Sequence, residues 1–197
     1  MKFTTHEETV GDDKNAQIVS EVKVAFAEAH NMLPNSHKAG RLIVEIESAD
    51  STEPYFRLDI SPKEYGKGEN CAPEKILTLR KNPGITQTGE LRGSHNDVGA
   101  YLDKDHITYY GGVQVKLVLA ERETEKPFFN GVIRIAYSGA PEWQDVYIAL
   151  NALSAVARAL AKICPEGFCH CYCTEALVKL LNDPISGFHM KLLKINW

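Results

Sequence analysis

The sequence lacks the features that would place the protein at a membrane or on nucleic acid. No apolar run approaches the roughly 20 residues that a membrane-spanning helix needs, and the first stretch, MKFTTHEETVGDDKNAQ, contains no apolar segment typical of a signal peptide. No basic stripe is present either, and the formal net charge is −4. We therefore expect no membrane and no nucleic acid as a partner.

The cysteines do not form a disulfide framework. There are five, an odd number, and four of them lie between Cys164 and Cys173. We therefore expect a cytoplasmic protein with reduced thiols. The 197 residues are 44% hydrophobic and 24% charged, which is an ordinary globular balance. A chain of this length buries a substantial core without disulfides, and we expect a single α+β domain over residues 1–197.

Hydrophobic periodicity predicts most of the elements. Apolar residues at three- and four-residue steps indicate helices, and alternation indicates strands. Helices are predicted over residues 14–33, 141–163 and 165–181, and strands over 41–48, 55–61, 75–82, 107–123, 128–138 and 189–197. Strands joined as hairpins and helices grouped near the ends favour an α+β fold. We expect one antiparallel sheet of about five or six strands with helices packed on one face.

Two segments stand out within this pattern. The helix predicted over 141–163 has no charge between Asp145 and Arg158, so it should be central and covered on more than one side. Segment 62–105 is the opposite, because 9 of its 44 residues are Gly or Pro, against 14 of the other 153. It is predicted to be loop-rich, with a weak strand at 75–82, and to border any binding site.

The segment from Gly131 to Leu160 runs as a strand, the turn Ser138-Gly139, then Asp145 and an alanine-rich helix. In this order it resembles the haem-binding and glycolate-operon accessory domains. The resemblance covers residues 131–160, and it carries no functional residue over to this chain.

The cysteine cluster has two readings. Cys169 and Cys173 begin an apolar stripe that continues to Leu181, which predicts a helix from about Pro165 with both thiols buried in the core. The alternative is a metal site formed by four side chains: Cys164, Cys169, His170 and Cys173. The sequence offers no second ligand pair of the kind zinc motifs use, so no metal and no cofactor is predicted.

Residues 89–106 concentrate polar side chains of the types that bind ligands. The candidate ligand-binding residues are Arg92, Ser94, His95, Asn96 and Asp97. They suit an anion site, a His/Asp metal site or a general base at His95, and they match none of the motifs of nucleotide, zinc-protease, hydrolase or calcium sites. The same residue types are common in solvated turns.

The function predicted from these residues is that of a binding or interaction module for a small-molecule or protein ligand. The alternative is a small enzyme or a metal-dependent protein that uses the His/Asp loop of residues 92–106 or the cysteine cluster of residues 164–173. The sequence leaves open whether the chain is an enzyme and whether it forms a homo-oligomer.

Overall fold

The computed structural model describes residues 3–9, 13–32, 40–48, 54–62, 71–89, 109–121, 127–163 and 168–169. These residues form a six-stranded antiparallel sheet and three helices. In chain order the elements are β1 (Phe3–Thr9), α1 (Asp13–Asn31), β2 (Arg41–Ser48), β3 (Pro54–Pro62), α2 (Ala72–Lys81), β4 (Gly112–Glu121), β5 (Pro127–Ser138), α3 (Glu142–Ile163) and β6 (Phe168–Cys169). The strand order is β1-β3-β2-β5-β4-β6, and the predicted α+β fold class is confirmed.

One face of the sheet is apolar because the central strands alternate. On β2 and β3 the side chains that point to this face are buried: Leu42, Val44, Ile46, Phe56, Leu58 and Ile60. Partners in the register share a face, as Val44 and Leu58 do. Helices α1 and α3 pack side by side over this face and complete the main core, as the sequence predicts.

Helix α3 is the central helix. Most of its described residues are buried: Gln144, Asp145, Val146, Ile148, Ala149, Leu150, Ala152, Leu153, Ser154, Ala155 and Val156. The less buried residues, Trp143, Tyr147 and Asn151, lie four positions apart and form one narrow outward stripe. A helix buried around most of its girth must be covered on more than one side, and the charge-free sequence from Val146 to Ala157 already indicated this. Across the described residues no helix is both long and apolar enough to cross a membrane.

The strand predicted over residues 75–82 is wrong, because these residues lie in helix α2 and just beyond it. The helix follows from the sequence: Pro73 and Glu74 lie in its first turn, and Arg80 and Lys81 in its last. Its buried stripe repeats at helical spacing through Ala72, Lys75, Ile76 and Leu79. Helix α2 packs on the face opposite α1 and α3, so helices cover both faces of the sheet, whereas the sequence predicted helices on one face.

The helix predicted from Pro165 is contradicted at its first turn. Phe168 and Cys169 form β6, which pairs with Glu121 and Ala120 at the end of β4. Apolar spacing over a short run fits a helix or a strand, and here pairing with an available strand edge decides. Residues 170–181 and the strand predicted over 189–197 lie outside the described residues. Strand β1, with the polar sequence FTTHEET, was not predicted, because it lacks an apolar alternation.

The core position of α3 leads to a stability prediction. Replacing Leu153 by Ala should lower the free energy of unfolding by about 2–5 kcal/mol, because the side chain is fully buried and its removal leaves a cavity. Denaturant unfolding followed by circular dichroism measures this change. Val24→Ala is the matched control on α1, since Val24 is more than half exposed, and it should cost less than about 0.5 kcal/mol. Equal costs for the two variants would contradict the central place of α3.

Candidate functional site

A buried ion pair joins three elements at one end of the sheet. Lys75 of α2 donates from Nζ to Oδ2 of Asp145, in the first turn of α3, at 2.8 Å. The same Nζ donates to the backbone carbonyl of Tyr137, at the end of β5, also at 2.8 Å. The other carboxylate oxygen of Asp145 accepts the backbone N–H of Ala140 at 3.1 Å. The side chains of Lys75 and Asp145 are only 1% and 5% exposed.

Burial controls the charge of this pair. Removal from water raises the pKa of Asp145 from 3.8 to about 6, and the nearby carboxylate of Glu142 adds to the increase. The attraction of Lys75 and the hydrogen bonds from Lys75 and Ala140 act in the opposite direction but do not cancel the cost of burial. Asp145 therefore changes its protonation state near mildly acidic pH, where an exposed aspartate stays ionised.

Gly111 makes room for the ion pair. Its φ is +102°, in the region that L-residues rarely adopt. A Cβ atom at this position would lie 2.5 Å from Cβ of Asp145 and 2.9 Å from Nζ of Lys75. Gly111 lies just before the start of β4, and close approach to a buried ion pair is the reason for the glycine.

Thr88 connects the two stretches of chain that flank segment 90–108. Its hydroxyl donates to the backbone carbonyl of Tyr109 and accepts the backbone N–H of Gly112 at 3.3 Å. Just beside it, a side chain at Gly89 would overlap the ring of Tyr110, so the two ends are in close contact. We call the residues Thr88, Gly89 and Tyr109–Gly112, together with the Lys75–Asp145 pair, the loop base.

The chain that leads from α2 to the loop base is fixed on β4. Gln114 donates from Nε2 to the backbone carbonyls of Asn82 and Ile85, both at 2.7 Å. Its backbone N–H donates to the carbonyl of Thr86 at 2.9 Å. On the α3 side, Glu142 accepts the backbone N–H of Tyr110 at 3.2 Å. These bonds hold both sides of the loop base on regular secondary structure.

The residues predicted from sequence lie mostly outside the described part of the chain. Arg92, Ser94, His95, Asn96 and Asp97 belong to segment 90–108, which lies outside the described residues; the structure describes the residues that flank it, Gly89 and Tyr109. Cys164, His170 and Cys173 also lie outside, while Cys169 is described only in its backbone. Among the described residues, no group of three or more His, Cys, Asp or Glu side chains is arranged to hold a metal ion.

Sequence analysis missed Lys75 and Thr88 and did not pair Asp145. A signal for Lys75 was present, because it falls in the helical spacing of Ala72, Ile76 and Leu79, where an apolar residue is expected. A lysine in such a position must find an anion or a carbonyl. Asp145 is the last charge before a long apolar run in α3, and it is the partner.

Comparison with known proteins gives little similarity. No protein-family model and no curated protein matches the sequence. Among solved structures the chain is similar to the PduOC:heme complex, with 19% sequence identity and a TM-score of 0.41. The similarity covers 75% of this chain and 94% of that chain. At this identity and TM-score no residue role is carried over, and the candidate site depends on its own geometry.

Gly111 provides a direct test of the loop base. Gly111→Ala should lower the free energy of unfolding by at least about 1–3 kcal/mol, because φ is positive and the new Cβ would collide with Asp145. Gly84→Ala is the matched control: Gly84 lies in an exposed turn, and a Cβ there meets no atom within 4 Å. Urea unfolding measures both variants. A cost at Gly111 no larger than at Gly84 would contradict the close packing described for the loop base.

The raised pKa of Asp145 predicts a pH dependence with a definite sign. Between about pH 6 and pH 4 the folded protein takes up a proton that the unfolded chain, with a pKa near 3.8, does not. This carboxyl therefore favours folding more strongly as the pH falls through that range. The unfolding free energy of the wild type should rise relative to Asp145→Asn, which cannot titrate, by up to about 3 kcal/mol.

Urea unfolding of both proteins at half-unit pH steps from pH 7 to pH 4 measures the difference between their unfolding free energies. Titrations of the groups that both proteins contain cancel in this difference. A difference that falls on acidification would mean that the attraction of Lys75 outweighs burial and that the pKa of Asp145 is lowered instead.

Proposed function

We propose that this protein is a ligand-binding module whose site is formed by segment 90–108 on the loop base. The observation that carries the proposal is the double hydrogen bond of Thr88, which closes the segment beside the buried Lys75–Asp145 pair. Long loops that start and end on a rigid scaffold are where binding residues concentrate. Segment 90–108, which begins and ends at this hydrogen-bonded point, contains the five polar residues predicted from sequence.

Chain length limits where those residues can lie. Arg92 follows Gly89 by three residues, so their Cα atoms are separated by no more than about 11 Å. Gly89 is packed against Tyr110 at the loop base. The loop base itself reaches the first turn of α3, where Glu142 and Asp145 already lie at the positive end of the helix. These two acids disfavour an anion at the helix amides, which supports Arg92 as the group that receives an anionic ligand.

The chemistry of the five residues supports a small molecule with an acidic group. The guanidinium of Arg92 matches a carboxylate or phosphate in geometry and charge. Ser94, His95 and Asn96 add neutral hydrogen-bonding groups, and Asp97 accepts bonds from hydroxyl or amine groups. Binding at a site of this kind needs no nucleophile. The described residues of the loop base would act as a rigid support for the site and not as reacting groups.

A thermal-shift experiment tests the proposal. The wild type, Arg92→Ala and His95→Ala are heated with a panel of small carboxylates, phosphates and sugar phosphates. Haem is included because residues 131–160 resemble haem-binding domains. A ligand present at 100 times its Kd stabilises the folded state by about 2.7 kcal/mol, which gives a shift of several degrees. We expect at least one compound to shift the wild type and to lose its effect in Arg92→Ala.

Lys81→Ala is the matched control, since Lys81 is an exposed cation in the last turn of α2 and away from segment 90–108 in sequence. It should keep the full shift. A compound that stabilises the wild type, Arg92→Ala and His95→Ala equally would show that the binding site lies elsewhere and would refute the place assigned to it here.

A further inference from the structure

Two arginines share one buried glutamate on the α2 face of the sheet. Arg57 of β3 donates from Nη1 to Oε1 of Glu45 on β2 at 3.1 Å. Arg80 of α2 donates from Nη2 to the same oxygen at 2.9 Å and from Nε to Oε2 at 3.1 Å. The side chain of Glu45 is only 1% exposed. Two guanidinium groups therefore converge on a single carboxylate, and the cluster carries a net charge of +1.

The other arginines described on this face do not share their acids. Arg41 forms a pair with Asp59, through Nη2 to Oδ2 at 2.5 Å and Nε to Oδ1 at 2.9 Å. Arg134, the neighbour of Glu45 in the register of β2 and β5, instead donates to Glu47 and to the side chain of Gln114. Positive charge is thus in excess at Arg57 and Arg80 and balanced at the other two.

Both guanidinium groups have donors to spare. Arg57 uses Nη1 for Glu45, and Arg80 uses Nε and Nη2, so that within the described residues Nε and Nη2 of Arg57 and Nη1 of Arg80 have no recorded partner. The two side chains are 31% and 36% exposed, whereas Glu45 is fully covered. The carboxylate is enclosed, and the cationic side of the cluster is open to solvent.

We propose that Arg57 and Arg80 form an anion-binding site for a carboxylate or phosphate group. Nη1 of Arg57 and Nη2 of Arg80 cannot be more than about 6 Å apart, since both bond to the same oxygen of Glu45. Glu45 holds them together against their mutual repulsion, and an incoming anion removes the remaining positive charge. Guanidinium groups bind carboxylate and phosphate through paired N–H donors, which makes these groups the matching ligands.

Glu8 is one acid whose competition for the site can be tested directly. It is the register partner of Arg57 on β1, which pairs with β3 on the side away from β2. The site requires that an external anion, and not this carboxylate, satisfies the spare donors of Arg57.

Isothermal titration of the full chain with inorganic phosphate, and separately with acetate, tests the site. One bound anion per chain is expected, and the stronger of the two titrations identifies the phosphate or the carboxylate class. Arg57→Gln and Arg80→Gln should each weaken binding by about tenfold or more, because each removes one side of the site. Arg41→Gln is the matched control, since Arg41 is equally exposed but has its own acid, and it should change affinity less than about twofold.

Circular dichroism shows whether each variant is folded. Where Arg80→Gln fails to fold, Arg80→Lys replaces it, because lysine keeps the charge and loses the paired donors, and weaker phosphate binding is again expected. If Arg41→Gln weakened anion binding as much as the other two variants, the binding would depend only on general surface charge, and the proposal would be overturned. The proposal would also be overturned if the wild type bound no anion and Glu8→Gln did, because Glu8 would then occupy the site. Because neither Arg57 nor Arg80 belongs to the loop base, this result is separate from the test on Arg92.

Discussion

The ion pair between Lys75 and Asp145 is the constraint on which the arrangement of the helices and the loop base depends. Its two residues are 70 positions apart in the chain, and their single contact fixes α2, the first turn of α3 and the end of β5 at one point. Removing one partner of such a pair leaves a buried charge, which costs about 3–5 kcal/mol. The pair need not contribute much net stability to have this effect, because the penalty falls on every arrangement that separates the two charges.

The two faces of the sheet are held by different forces. The face under α1 and α3 follows from alternation in sequence, and burial of apolar area stabilises it without directional bonds. The face under α2 carries acids and bases on neighbouring strands that pair with each other, such as Glu45 and its register partner Arg57. Ion pairs are directional and fix the register. A shift of one residue would expose the apolar side chains and, at the same time, separate the paired charges.

Sequence periodicity predicted the elements whose apolar pattern has one clear period and failed where a run fits both periods. Helices α1 and α3 and strands β2 to β5 follow from regular helical or alternating patterns. Helix α2 was mistaken for a strand because a short run beginning at Lys75 alternates as well as it repeats. The site was harder to predict, since nothing local in the sequence says that Lys75 meets Asp145 or that Thr88 meets Tyr109. Such partners are chosen by the fold, whereas Glu45 and Arg57 could have been paired from the predicted hairpin register.

Helix α2 connects the loop base with the cluster at Glu45. It places Lys75 against Asp145 near its first turn and Arg80 against Glu45 in its last. Five residues separate them, about 7.5 Å along a helix that moves as a rigid body over that length. Lys75 is fixed by two hydrogen bonds of 2.8 Å, so the position of Arg80 relative to the sheet is determined by the same ion pair that determines the loop base. The segment whose composition suggested a loop thus contains the element that aligns the two proposed sites with the sheet.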